Sequence, residues 1–431
     1  MPLYASTFQW PDPAIDFVSL SSGARDGIAE LVARSDRWIL KAPGNFSGVT
    51  GQPGQRTLST TLDGEPALIR GSVFAIDGDL GLRVDELRIG SVEMDAEYVS
   101  ATANFEHLAS ACTYRPEDGA ARDAHQALVF PALDDVAEMR AELPCRATAI
   151  TLSADAPVPL EAFETQLTTF QDLLTFAADQ PCSRTSLTLT DRSGNDVRVF
   201  GRDKYKPFNG KTRKPIEFSL RFVSDQTQRV IDGWWKARDE LLPVTQIIAG
   251  LRYQPGYVEA DAVLSAAAIE ALATAGLCDP RPLLSQEDAE PIVAALNSLD
   301  GTNQAQRDAI ARLKGELHRT TFRSKVESLI EDIAPEKWGL SRVRTDEWIK
   351  LFLKARNGIA HAAPGLPGGV SIWKESELLR SIRDANWIVI TLVLIAQLGV
   401  PDAAIDRVAE RLGTRYGIRH QETPIFAPRE H

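Results

Sequence analysis

The sequence predicts an α+β protein in two parts, a β-rich mixed N-terminal region followed by an all-α helical bundle. Three observations predict it. Alternation of apolar and polar residues dominates to about residue 240, runs with helical periodicity take over from about Trp234, and 431 residues suffice for two or three domains with separate cores. The expected division falls near 225–245. It gives a β-rich region over 1–240, with a subdivision near 140–155, then a bundle over 241–400 and a C-terminal helix and tail over 401–431.

In the first part, Ala67 to Phe74, Thr148 to Leu152, Thr185 to Thr190 and Ile216 to Phe222 are short alternating or β-branched runs bounded by Gly, Pro and Asp, the pattern of strands. One helix interrupts them over Leu160 to Ala178, where Phe163, Leu167, Phe170, Leu173 and Leu174 recur at helical spacing. In the second part, stretches 259–275, 286–299, 303–318, 322–333, 343–361, 375–399 and 402–413 read as helices between Gly or Pro punctuation. No internal repeat is apparent.

Composition narrows the function classes. With 44% hydrophobic and 25% charged residues the chain is an ordinary globular sequence. Cys112, Cys145, Cys182 and Cys278 lie far apart without a C-x-x-C spacing or a nearby His cluster, so no metal site is expected and all four read as free thiols of a reducing cytosol. The N-terminus, MPLYASTFQWPDPAIDF, lacks the basic start and apolar run of a signal peptide. The apolar run Trp387 to Val400, interrupted by Gln397, is too short to span a bilayer and reads as a buried helix. These points lead to a cytoplasmic expectation, with no membrane partner and no cofactor. G-x-G-x-x-G, Walker A, H-E-x-x-H and G-x-S-x-G patterns do not occur, which weakens nucleotide-hydrolase, zincin and serine-hydrolase readings.

Net charge is −12, at first sight poor material for holding phosphates. The first 240 residues carry 25 basic and 35 acidic side chains, net −10, and the remaining 191 carry 22 and 24, net −2. Most of the acidity therefore belongs to the first part. An exception within it is a run with Arg198, Arg202, Lys204, Lys206, Lys211, Arg213 and Lys214, interleaved with Tyr205 and Phe208. Such a loop can hold single-stranded RNA by phosphate contacts and stacking; Pro207, Asn209, Gly210 and Pro215 equally explain it as a solvated hairpin.

The feature that stands out chemically is Lys354 to His361, KARNGIAH, followed by the breaker-rich AAPGLPGG. Cleaving RNA without a metal needs an acceptor for the 2′-hydroxyl proton, a donor for the leaving 5′-oxygen and a cation for charge growing on phosphorus. His can do the first two near neutral pH and Arg the third. Arg356 and His361 are five residues apart and diverge on an ideal helix, whereas Asn357 and His361 nearly align, so convergence requires the helix to end here. Arg312 with His318 and Arg415 with His420 show similar spacing. His318 lies in a charged helix and His420 in the polar tail GTRYGIRHQETP, which reads as mobile. Only Arg356 and His361 sit between apolar helices, and there the residues alone leave open both a catalytic pair and a structural helix end.

The run ARNGIAHA, with the upstream helices AAAIEALATAGL and FRSKVESLIEDI and the downstream helix RSIRDANWIVITLVLIAQLGV, resembles a HEPN domain, specifically the ApeA-like branch of bacterial anti-phage abortive-infection proteins. The resemblance covers about 255–400 and extends more loosely over 155–240. It implies an α+β chain ending in a HEPN-like bundle that is a metal-independent endoribonuclease and, by family analogy, acts on tRNA. Arg356, Asn357 and His361 would be its catalytic set, two bundles in a homodimer would form the site, and RNA would be the substrate. Glu270, in AAIEAL, matches a position where relatives place an acid that holds the Arg; it also suits a surface helix. The first part would be a sensor or brake released by a phage-derived trigger. A non-catalytic dimerisation or RNA-binding adaptor, and the toxin of a toxin–antitoxin pair, are the alternatives.

Overall fold

The computed structural model describes residues 18–20, 27–34, 37–41, 55–62, 65–76, 79–90, 95–111, 125–144, 148–201, 226–253, 256–280, 282, 284–299, 303–317, 320–333, 336–360 and 376–427. It has the two-part α+β architecture, and the chain divides into two compact units, Met1–Trp235 and Lys236–His431.

Among the described residues of the first unit, twelve strands form one antiparallel sheet: β1 (Val18–Leu20), β2 (Gly27–Arg34), β3 (Arg37–Lys41), β4 (Gln55–Leu62), β5 (Glu65–Ile76), β6 (Asp79–Ile89), β7 (Glu97–Phe105), β8 (His125–Phe130), β9 (Met139–Pro144), β10 (Ala149–Pro159), β11 (Arg184–Asp191) and β12 (Asp196–Gly201). Their order is β3-β2-β1-β4-β5-β6-β12-β11-β7-β10-β9-β8, and an added β3–β6 pairing closes the first six strands into a hydrogen-bonded ring. One edge of β6 serves both neighbours: Gly81 to Arg83 pair with β3, and Glu86 to Ile89 pair with β12.

The expected strands at 67–74, 148–152 and 185–190 fall within β5, β10 and β11; the one at 216–222 lies outside the described residues. In β7 the alternation buries Ala101, Ala103 and Phe105, then slips phase to bury Tyr98. Register shifts against both partners near Ser100 and Tyr98 account for the slip, since a bulge adds one residue and turns the following side chains over.

Helix α2 (Leu160–Ala178) follows the short helix α1 (Leu108–Ala111) and packs on β7 and β10, as the periodicity of Phe163, Leu167 and Phe170 dictates. Phe170 meets Phe105 edge-on at 5.7 Å and Phe130 at 5.4 Å. Its opposite face is buried too, by Trp234 and Trp235 near the end of α3 (Thr227–Glu240). Their indole N–H groups donate to Thr169 O at 3.1 Å and to Gln166 Oε1 at 2.7 Å, so both rings are buried with their one polar atom satisfied. Helix α3 falls where the sequence suggested only a boundary.

The second unit is helical: α4 (Val244–Tyr253), α5 (Val258–Thr274), α6 (Gln286–Asn297), α7 (Gln304–Leu317), α8 (Phe322–Asp332), α9 (Lys337–Ser341), α10 (Thr345–Ala360), α11 (Ser376–Gln397) and α12 (Asp402–Leu412), continued by a π-helical turn, Gly413–Gly417. All seven expected helices are present, with α4 and α9 added. Asp288 N bonds the Ser285 hydroxyl at 3.1 Å at the start of α6, and Ser324 N bonds that of Thr321 at 3.0 Å at the start of α8.

Helix α11 is the apolar run read as a buried helix; among the described residues no helix is long and apolar enough to cross a membrane. It packs chiefly on α5. Trp348 Nε1 donates to Asn386 Oδ1 at 2.9 Å, and Asn386 Nδ2 donates to Ser265 Oγ at 3.0 Å. This buried chain ties α10, α11 and α5 in one register, because slipping any of them would leave polar groups unpaired without water.

Candidate functional site

Glu270 lies on α5 and Arg356 on α10, 86 positions apart in sequence. The Trp348–Asn386–Ser265 chain fixes these helices, and their meeting brings the two side chains together. Arg356 Nη2 donates to both Glu270 carboxylate oxygens at 3.0 Å. Its Nη1 donates to Asn357 Oδ1 at 3.3 Å. The Phe322 ring, from the first turn of α8, lies 5.1 Å from the guanidinium carbon. Three helices thus orient one guanidinium, electrostatically through the carboxylate and the π-face of the ring.

The Arg356 side chain is 31% exposed and that of Glu270 45% exposed, so the pair stands where an anion can reach it. A guanidinium has five N–H donors. Among the described residues these contacts use both Nη2 hydrogens and one on Nη1, leaving the Nε–H and the other Nη1–H for a phosphate. Asn357 is exposed beside it. Helix α10 ends at Ala360, the residue before His361, which lies outside the described residues. The basic residues Arg202, Lys204, Tyr205, Lys206, Lys211, Arg213 and Lys214 also lie outside them. Arg198 is described and pairs with Glu65 at 2.7 Å.

Of the cysteines, Cys182 is a buried free thiol and Cys278 a half-buried one; Cys112 and Cys145 fall outside the described residues. Burial, reinforced by Glu106, pushes the Cys182 thiol well above its ordinary range, which makes it a poor nucleophile.

A second constellation corrects the expectation of a mobile tail around His420. His420 is 3% exposed and stacks on Phe426 at 5.5 Å. Its Nε2 lies 2.9 Å from Asp384 Oδ2, and its Nδ1 lies 3.1 Å from the Ser381 hydroxyl. Arg383 adds two contacts to Asp384, at 2.7 and 2.9 Å, and bridges toward Asp261 at 3.8 Å. Burial pushes the Asp384 carboxyl up, but the His420 hydrogen bond and the Arg383 guanidinium outweigh it and hold it below its ordinary value. Part of the signal was in the sequence: an acid three residues before the apolar run of α11, with Ser381 three residues earlier on the same face, needs a partner wherever that helix start is covered.

Ser381, His420 and Asp384 are the residue types of a hydrolase triad, but Ser381 is fully buried and no substrate reaches it. The cluster instead clamps the C-terminal segment. Beyond it, Arg344 N donates to Ile425 O and Ala427 N to Arg342 O, each at 2.8 Å, and Ile425 and Phe426 are buried. The segment therefore braces the start of α10, the helix that carries Arg356. Phe322 also escaped the sequence reading, because an aromatic in a first helical turn looks like any core residue until its neighbours are known.

Comparison with protein-family models, with curated proteins and with solved structures finds no match.

Proposed function

We propose that this chain is a metal-independent endoribonuclease acting in the cytoplasm through Arg356, Asn357 and His361. The observation that carries the reading is the Arg356 guanidinium, held in orientation by Glu270 and Phe322 while part of its donor fork faces solvent. A fixed, accessible guanidinium is suited to the charge that grows on a phosphorane-like transition state, since it needs no reorganisation when the charge appears. Asn357, already bonded to Arg356, orients the phosphate or the imidazole. His361, next in sequence after Ala360, takes the 2′-hydroxyl proton, and its counterpart in a second copy protonates the 5′-oxygen. The product is a 2′,3′-cyclic phosphate. DNA, which lacks the attacking hydroxyl, is not cut.

On this reading the active form is a homodimer through the HEPN-like bundle, tRNA is the substrate by family analogy, and the acidic N-terminal unit restrains the nuclease until a phage-derived trigger releases it. A second reading has its own observation: the Glu270–Arg356 pair also ties α5 to α10, which a non-catalytic adaptor would need. Sequencing RNA ends after induction of wild type and of His361→Ala in cells separates the two. New ends that carry cyclic phosphate, persist with EDTA and vanish in His361→Ala are expected of the nuclease; identical RNA ends in both strains overturn it.

A further inference from the structure

Helix α12 and the turn after it carry Arg407, Arg411, Arg415 and Arg419, four residues apart each time. On an α-helix a step of four turns about 40° and rises about 6 Å, so these side chains form a stripe. The wider winding of the π-helical turn Gly413–Gly417 reverses the angular drift partway along. His420 N bonds Tyr416 O at 3.2 Å, so the backbone stays helical to the last arginine. Arg407, Arg415 and Arg419 are exposed and Arg411 is half-buried. The acids of the same helix, Asp402, Asp406 and Glu410, repeat at the same interval one position earlier, and Glu410, three residues from Arg407, lies about 60° from it at the edge of the stripe. Asp406 there is bound to Lys337 at 2.7 Å.

The stripe is also held from below. Tyr416 is 3% exposed, and the guanidinium carbons of Arg415 and Arg419 lie 5.4 and 5.7 Å from its ring. Its hydroxyl is 3.1 Å from Nη2 of Arg252, which in turn stacks on Trp387 at 3.3 Å. Two guanidiniums thus lie near the ring and a third at the hydroxyl, and Arg419 also reaches Asp384 Oδ2 at 3.5 Å, so the aromatic holds this end of the stripe in place.

We propose that this stripe is a binding surface for the phosphate backbone of a nucleic-acid strand. Successive arginines rise by about 6 Å, the separation of neighbouring phosphates along such a strand, and a linear ladder of forked donors suits repeated phosphates better than a single small anion. The surface is separate from Arg356 and binds whether or not the chain cleaves RNA.

The test uses the full chain and a short fluorescein-labelled oligouridylate with 2′-O-methyl riboses, which cannot be cut by its own 2′-oxygen. Anisotropy is followed between about 50 and 200 mM salt. Wild type should bind with a steep salt dependence. Arg407→Gln/Arg415→Gln should bind about tenfold more weakly at low salt, with a log–log slope shallower by about 1.4, the value for two lost contacts to a single strand. Arg407→Lys/Arg415→Lys should keep the slope, and Arg140→Gln, on the first unit, should match wild type. Circular dichroism checks that the variants fold. No binding by wild type, or equal affinity and slope in the Gln variant, overturns the proposal, as does binding to phosphatidylserine vesicles in place of RNA. An Arg356→Ala protein that fails to cleave yet binds normally would bear on the nuclease reading and leave this surface standing.

Discussion

Replacing Glu270 with Gln separates catalysis from architecture because the two readings assign the same contact very different sizes. The pair is half-exposed, with side chains 31% and 45% accessible, so solvent screens the attraction and its contribution to stability is under about 1 kcal/mol. Gln keeps the shape and one acceptor, so Arg356 retains a single hydrogen bond to an uncharged oxygen in place of two to a carboxylate at 3.0 Å. For folding that difference is minor. For a guanidinium that must meet a transition state it is not, since a displacement on the order of 1 Å costs about 100-fold in rate. The expected outcome is a melting temperature within about 4 °C of wild type, together with RNA cleavage slowed about 100-fold. The assay pairs calorimetry with single-turnover cleavage of a labelled RNA. Cleavage at the wild-type rate would refute the orienting role of Glu270. A rate loss matched by collapse of the helical unit would refute the claim that the pair is more than a helix tie.

Three further outcomes follow from packing and charge. Asp384→Asn removes the carboxylate charge that His420, Arg383 and Arg419 share and should cost about 3 kcal/mol in the transition of the second unit, seen by calorimetry. Because the folded carboxyl titrates below its unfolded value, its contribution is full above about pH 4 and is lost as pH falls through the folded value. The gap between wild type and Asp384→Asn should therefore narrow in acid, and a gap independent of pH from 7 down to about 2 would contradict the assignment. Gly413→Ala would put a Cβ 2.5 Å from Leu340 O and 2.8 Å from Ser341 C, both backbone atoms, so it should destabilise by about 1–3 kcal/mol in denaturant titration even though Ala is the better helix former. Asn386→Leu leaves the Trp348 indole N–H without its acceptor and Ser265 Oγ without its donor, at about 2–4 kcal/mol in all; a variant as stable as wild type would show that the chain is not what locks α10 to α5.

Periodicity made much of this legible. Leu160–Ala178 was readable to the residue because five large apolar side chains recur on one face, and seven of the nine helices described in the second unit were readable from Gly and Pro punctuation. Helix α3 was not, since its paired tryptophans amid polar residues resemble boundary composition until α2 is seen to need a cover on its outer face. The same limit hid His420. A polar tail shows no pattern of burial, and only Asp384, an acid just ahead of the apolar run of α11, hinted that something had to reach it.

What the sequence by itself determined is local: which segments wind into helices, which alternate as strands, where charge accumulates, and that Arg356 and Asn357 stand on one helix, α10. These follow from spacing along one chain, where periods of two and 3.6 residues carry the information. Tertiary structure alone decided which distant residues share a place. It brought Glu270 to Arg356 across 86 positions, set Phe322 beneath the guanidinium, and folded the tail back onto Asp384. The physical reason is that buried polar groups must be satisfied by whatever partner the packing delivers, and sequence distance places no bound on where that partner comes from.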